Sequence, residues 1–123
     1  MKEDHRILIV EDEIISAILY KRILKRLGYR VCGPATTGEE AIEFVDQEDP
    51  DLVLMDINLI GAMDGIEVAE VLSKKTDPKI IFITGYSDAE TRERALKLDP
   101  VAYILKPLDF SNLDSLIGST LER

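Results

Sequence analysis

The chain has 123 residues, 46% hydrophobic and 32% charged, with 7 glycines and 5 prolines, which is the size and balance of one globular domain rather than of a disordered or collagen-like chain. It carries 15 basic against 24 acidic side chains, a net charge of −9, which speaks against direct binding of nucleic acid. The single Cys32 and the single His5 exclude an internal disulfide and a Cys/His zinc cluster within the chain, and any Ser-His-Asp triad would have to use His5.

Met1-Lys2-Glu3-Asp4 carries acids and leads straight into an apolar tetrad, Ile7-Leu8-Ile9-Val10. No signal peptide is visible in that start, and no apolar run approaches the ~18 residues of a membrane helix; the lone Cys32 fits a reducing compartment, and a cytoplasmic protein is expected. The tetrad reads as a strand buried on both faces. Ile14, Ile15, Ile18, Leu19, Ile23, Leu24 and Leu27 then recur at helical spacing and predict one core-facing stripe, with Gly28 as its stop. Tyr29 to Gly33 reads as a second strand, and Thr37-Gly38-Glu39-Glu40 has capping-box spacing at the head of a second helix.

Pro50 ends that helix, and Leu52-Val53-Leu54-Met55 supplies a third strand. A loop from Leu59 to Gly65 precedes a helix with Ile66, Val68, Ala69, Val71 and Leu72. Asp77-Pro78 breaks the chain before the fourth strand, Ile80-Ile81-Phe82-Ile83. Ser87-Asp88-Ala89-Glu90 again has capping-box spacing, Asp99-Pro100 is a further breaker, and Ala102-Tyr103-Ile104-Leu105 is a fifth strand. A last helix puts Phe110, Leu113, Leu116, Ile117 and Leu121 on one side. Five βα units of this kind call for an α/β fold: a doubly wound parallel sheet with helices on both faces.

In such a sheet ligands bind beyond the carboxyl ends of the strands. The residues that fall there are Glu11, Asp12 and Glu13 after strand one, Asp56 and Asn58 after strand three, Thr84 and Gly85 after strand four, and Lys106 and Pro107 after strand five. Several carboxylates at one edge repel one another unless a cation or protons compensate. With no histidine beyond the chain start, the compensation expected is a hard divalent ion, Mg²⁺, together with Lys106. Asp12 and Asp56 would be direct ligands, Glu11 direct or through water, and the Asn58 carbonyl would complete the protein side. Metal, ammonium and the Thr84 hydroxyl would together neutralise a phosphoryl group, and the Asp56 carboxylate can attack phosphorus to give an aspartyl phosphate.

The ordered set Glu11-Asp12, Met55-Asp56, Asp64-Gly65, Thr84-Gly85 and Lys106-Pro107 resembles the receiver domain of two-component response regulators. The resemblance covers nearly the whole chain, so residues 1–123 are expected to form a single receiver domain. It implies a flavodoxin-like (βα)5 sheet in the order 2-1-3-4-5. It also implies that Asp56 accepts phosphate from the phosphohistidine of a sensor histidine kinase or phosphotransfer protein, with Mg²⁺ held by Glu11, Asp12, Asp56 and the Asn58 carbonyl. Lys106 would contact the phosphate, Thr84 would move toward it, and Tyr103 would be the switch aromatic. The Lys106-Pro107 bond would be cis. A downstream protein or a second copy would meet the face of the fourth helix, fifth strand and fifth helix, which includes Arg92, Arg94, Lys97, Tyr103 and Asp109. Neither direct nucleic-acid binding nor a membrane is implied.

Three features depart from the common receiver pattern. The first acid is Glu11 where Asp is frequent, the Leu59–Gly65 loop lacks the usual proline and is a residue longer, and Tyr86 stands where its ring can overhang the phosphoryl group. Other classes fit less well. An aspartate-based phosphatase wants a second acid two residues after its nucleophile, where this chain has Asn58, and a flavin-binding loop after strand one would be repelled by Glu11-Asp12-Glu13. A pseudo-receiver would lack one of the key groups, and none is missing. The output is not written in the sequence: a stand-alone regulator and a receiver within a longer protein both remain open.

Overall fold

The computed structural model describes residues 2–121. A 3-10 turn over Lys2–Asp4 leads into strands β1 Arg6–Val10, β2 Arg30–Ala35, β3 Leu52–Asp56, β4 Lys79–Thr84 and β5 Ala102–Leu105. These alternate with helices α1 Ile14–Arg26, α2 Gly38–Glu48, α3 Gly65–Ser73, α4 Ala89–Leu96 and α5 Phe110–Leu121. All pairings are parallel, in the order β2-β1-β3-β4-β5. The expected doubly wound, flavodoxin-like sheet is the one observed.

Strand alternation splits the apolar residues between two cores. Leu8, Val10, Val53, Met55 and Phe82 face Ala41 and Val45 of α2, four residues of α3 and Ala95 of α4. Ile7, Ile9, Leu52, Leu54, Ile81 and Ile83 face Ala17, Tyr20 and Leu24 of α1 with Leu113 and Ile117 of α5. Because β1, β3 and β4 are covered on both sides, their runs are apolar without a break.

Helix ends follow side-chain chemistry. Thr37 accepts from Glu40 N at 3.2 Å, while the Glu40 carboxylate turns back to Thr36 N at 2.8 Å. At α3 the box is reciprocal: Asp64 accepts from Glu67 N at 2.9 Å and Glu67 from Asp64 N at 3.0 Å, a start that the loop assignment of Leu59–Gly65 overlooks. Gly28, with φ of +104°, ends α1 as expected.

Three expectations are corrected. The α1 stripe is only partly the buried one: Leu24 is in the core and Leu27 packs against it as expected, but Ile14, Ile15, Ile18 and Leu19 are exposed, Ile15 by 78%, and Ala17 and Tyr20 take their place. Tyr20 fills the space against α5, its ring 5.8 Å from that of Phe110. Strand β2 does not stop at Gly33 but runs on to Ala35 through a cis Gly33-Pro34 bond. The cap of α4 is Asp88, whose carboxylate accepts from Thr91 N at 2.7 Å, and not Ser87.

Candidate functional site

Parallel strands deliver their C-terminal ends to one edge, and the register fixes which residues meet there. Asp56 is the last residue of β3 and pairs with Ile83, one residue before Thr84; Thr84 pairs with Leu105, one residue before Lys106. Glu11 follows β1, with its N–H bonded to the Ala35 carbonyl at 2.9 Å. Beneath Asp56 the chain leaves no room: a Cβ on Gly65 would lie 2.1 Å from the Asp56 carbonyl oxygen. Gly65 N donates to Ile57 O at 2.8 Å across this contact, so a residue without a side chain is required where α3 starts.

Glu11, Asp12 and Asp56 each offer a carboxylate oxygen, all within 4.8 Å of one another. Lys106 Nζ lies 2.6 Å from Glu11 Oε1 and 3.4 Å from Asp56 Oδ2. The other Asp56 oxygen accepts from Asn58 N at 3.0 Å, and Asp12 Oδ2 accepts from Ile60 N at 3.2 Å. Glu11 has no solvent exposure. Burial first, and then the neighbouring Asp56 carboxyl, push its pKa up to about 7 against the opposing pull of Lys106. Burial alone would lower the Lys106 pKa, but Glu11 and Asp56 outweigh it and hold the ammonium above the ordinary lysine value.

Thr84 is fully buried. Its hydroxyl donates to Tyr86 O at 2.6 Å and accepts from Asn58 Nδ2 at 2.8 Å. Tyr103, half-buried on β5, hydrogen-bonds through its phenol to the Ser87 hydroxyl, and the Arg92 guanidinium lies 5.4 Å from its ring centre. The Lys106-Pro107 bond is cis. Gly85 faces open space, where an added Cβ would meet only Lys106 Cδ at 3.9 Å.

The structure therefore brings Glu11, Asp12, Asp56 and Lys106 into one cluster, with Thr84 beside it through Asn58, and with Tyr103 of β5 bonded to Ser87 on the segment that follows Thr84. Sequence reading missed two participants. Ser87, assigned to a cap, is the partner of Tyr103. The Asn58 side chain, considered only for its carbonyl, binds Thr84; its amide type was the available signal. His5, 3.9 Å from Asp51 at the opposite end of β1, is remote from these groups, so no triad forms.

The sequence and fold have known counterparts. A family model described as a response regulator receiver domain matches residues 7–118. The chain is 34% identical over 118 residues to the transcriptional regulatory protein PdtaR of Mycobacterium tuberculosis, covering 96% of this chain and 57% of that protein. It is 37% identical to the transcriptional regulatory protein ZraR of Escherichia coli, covering 94% of this chain and 26% of that one. It thus spans about half or less of these relatives' length. Among solved structures it resembles the receiver domain of a modulated diguanylate cyclase from Desulfovibrio desulfuricans, with a TM-score of 0.89, 38% identity, and coverage of 95% and 93%. It also resembles a CheY-like receiver domain from Methanospirillum hungatei, with a TM-score of 0.88, 34% identity, and coverage of 96% and 94%.

Proposed function

Since the chain belongs to the response regulator receiver domain family of two-component systems, we propose that Asp56 is its phosphoacceptor and Thr84 with Tyr103 its switch. The observation that carries this reading is the juxtaposition of Asp56 with Lys106 at 3.4 Å and with two further carboxylates at one sheet edge. In the reaction an Asp56 carboxylate oxygen attacks phosphorus, the P–N bond of a phosphohistidine on a kinase or phosphotransfer protein breaks, and the imidazole leaves with the electron pair. Lys106, already charged and aimed at Asp56, is placed to bind a phosphoryl oxygen.

The clustered donors are all carboxylate oxygens, the set that a hard divalent cation takes. We assign Glu11, Asp12, Asp56 and the Asn58 carbonyl as the groups that would hold Mg²⁺, which when bound neutralises charge on the transferring phosphoryl group. Tyr86, 71% exposed, is assigned to slow hydrolysis of the acyl phosphate, so Tyr86→Ala should lose the group faster.

The phosphodonor needs a surface beside Asp56. The N-terminal half of α1 is apolar on both its core and solvent sides, and the exposed Ile14, Ile15, Ile18 and Leu19, with Ile60 next to Asp12, form an apolar rim there. An apolar rim around a charged centre is the make-up of a protein docking site. We assign it to the kinase or phosphotransfer protein, and leave the α4–β5–α5 face with Arg92, Arg94, Lys97, Tyr103 and Asp109 to a downstream protein or a second copy. Among the described residues no helix is long and apolar enough to cross a membrane, and we place the protein in the cytoplasm.

Incubation with acetyl phosphate and Mg²⁺ followed by intact-mass measurement tests the assignment. The expected result is a gain of one phosphoryl group by the parent and none by Asp56→Asn; no gain in the parent, or an equal gain in the variant, would overturn it.

A further inference from the structure

The Thr84 hydroxyl is fully committed. Its one proton goes to the Tyr86 carbonyl at 2.6 Å, and its lone pairs receive Asn58 Nδ2 at 2.8 Å and Tyr86 N at 3.3 Å. Because that proton is already spent, the oxygen needs donors around it, which fixes the Asn58 amide with its NH₂ toward Thr84. In this arrangement Thr84 has nothing left to offer an oxygen at Asp56. Asn58 itself spans the gap: its backbone N–H holds Asp56 Oδ1 at 3.0 Å while its side chain holds Thr84.

We propose that the Asn58 side chain is a positioning residue, a latch that keeps Thr84 in its resting rotamer and so biases the domain against switching. The inference rests on the phosphoacceptor reading of Asp56. For Thr84 to donate to a phosphoryl oxygen it must leave Tyr86 O, and rotation of its Oγ breaks the Asn58 bond with it. The Asn58–Thr84 bond thus exists only in the resting state, and a ligand of Asp56 must work against it. Tyr86 and Ser87 lie on the same short segment, and Ser87 bonds Tyr103, so release of Thr84 frees the segment to which the Tyr103 phenol is tied. Removing a neutral hydrogen bond present in only one of two states shifts their ratio by roughly two- to tenfold.

The test uses Asn58→Leu, similar in size and without hydrogen-bonding groups; Asn58 is exposed, so the fold tolerates it, and Asn58→Ala serves as a second variant. First, in the unmodified, metal-free protein, three-bond couplings from the Thr84 methyl carbon to its backbone should report one χ1 rotamer in the parent and averaging in the variant. Second, with Mg²⁺ and beryllofluoride, a phosphoryl mimic, the variant should saturate at a concentration roughly two- to tenfold lower, and this gain should vanish in a Thr84→Ala background. Unchanged couplings, an unchanged or higher midpoint, or the same gain without Thr84 would each overturn the latch. If beryllofluoride fails to bind the parent at all, the phosphoacceptor reading falls instead, and the couplings still decide whether Asn58 holds Thr84.

Discussion

Lys106 Nζ lies closer to Glu11 than to Asp56, 2.6 Å against 3.4 Å, so the ammonium is anchored on the carboxylate that has no access to water. Lysine and a divalent cation would then draw on the same oxygens. Lys106→Met removes a positive charge a few ångströms from the cation's place, and should tighten Mg²⁺ binding by about tenfold, roughly 1.4 kcal/mol. Titration of amide shifts with Mg²⁺ measures it, and weaker binding in the variant would contradict the competition.

Gly65 sets the floor under Asp56. A methyl group there would sit 2.1 Å from the Asp56 carbonyl and 2.8 Å from Ile57 Cα, both backbone atoms that cannot swing aside. Gly65→Ala should cost on the order of 1–3 kcal/mol in urea denaturation and slow labelling of Asp56, because the strand end must shift to admit it.

The contrast at Gly85 is direct: an added Cβ would find only Lys106 Cδ, at 3.9 Å. Gly85→Leu is expected to change stability by less than about 0.5 kcal/mol but to impede phosphorylation, since the longer side chain reaches over Lys106. Acetyl phosphate labelling rates alongside urea midpoints separate the two effects.

What could be read in the sequence was what the strand ends carry. Four apolar runs, those of β1, β3, β4 and β5, each followed by a polar group of definite type, were enough to place Glu11, Asp12, Asp56, Thr84 and Lys106 on one edge, because parallel strands end on the same side of their sheet. Helix α1 was misread because its first two turns are apolar on the solvent side as well as on the core side. Periodicity cannot tell a core stripe from an exposed apolar stripe when both exist, and the choice fell to the fit of Ala17 and Tyr20 into the core shared with α5. Ser87 was misread for a related reason: its hydroxyl suits a cap, and only the arrival of Tyr103 from β5 shows another use. The Asn58 side chain is held by a hydroxyl 26 residues away, a contact that no local pattern encodes.

The exposed α1 stripe gives a clean separation of surface from chemistry. Ile15 is 78% exposed and touches none of the clustered groups, so Ile15→Asp should leave stability within about 0.5 kcal/mol and labelling by acetyl phosphate unchanged. Transfer from a phosphorylated histidine kinase should fall by about tenfold, as loss of one central apolar anchor costs more than 1 kcal/mol at an interface. Equal loss with both donors would place Ile15 in the chemistry rather than on the docking surface.

Asp114 on α5 accepts from the Tyr29 hydroxyl at 2.7 Å and lies 3.0 Å from Lys2 Nζ, tying the last helix to the start of the chain and to the residue before β2. The Tyr29 hydrogen bond first, and then Lys2, hold its pKa below the usual carboxylate value. A carboxyl with a depressed folded pKa adds stability above its unfolded value, and loses it as pH falls through the folded one. Asp114→Asn should therefore be less stable than the parent at neutral pH, by about 1 kcal/mol because Asp114 and Lys2 are partly exposed. The gap should hold down to about pH 4 and close below that as the parent's carboxylate takes up its proton. Paired urea titrations from pH 7 to acid measure it, and a gap that widens toward low pH would show that the carboxylate is not what stabilises this contact.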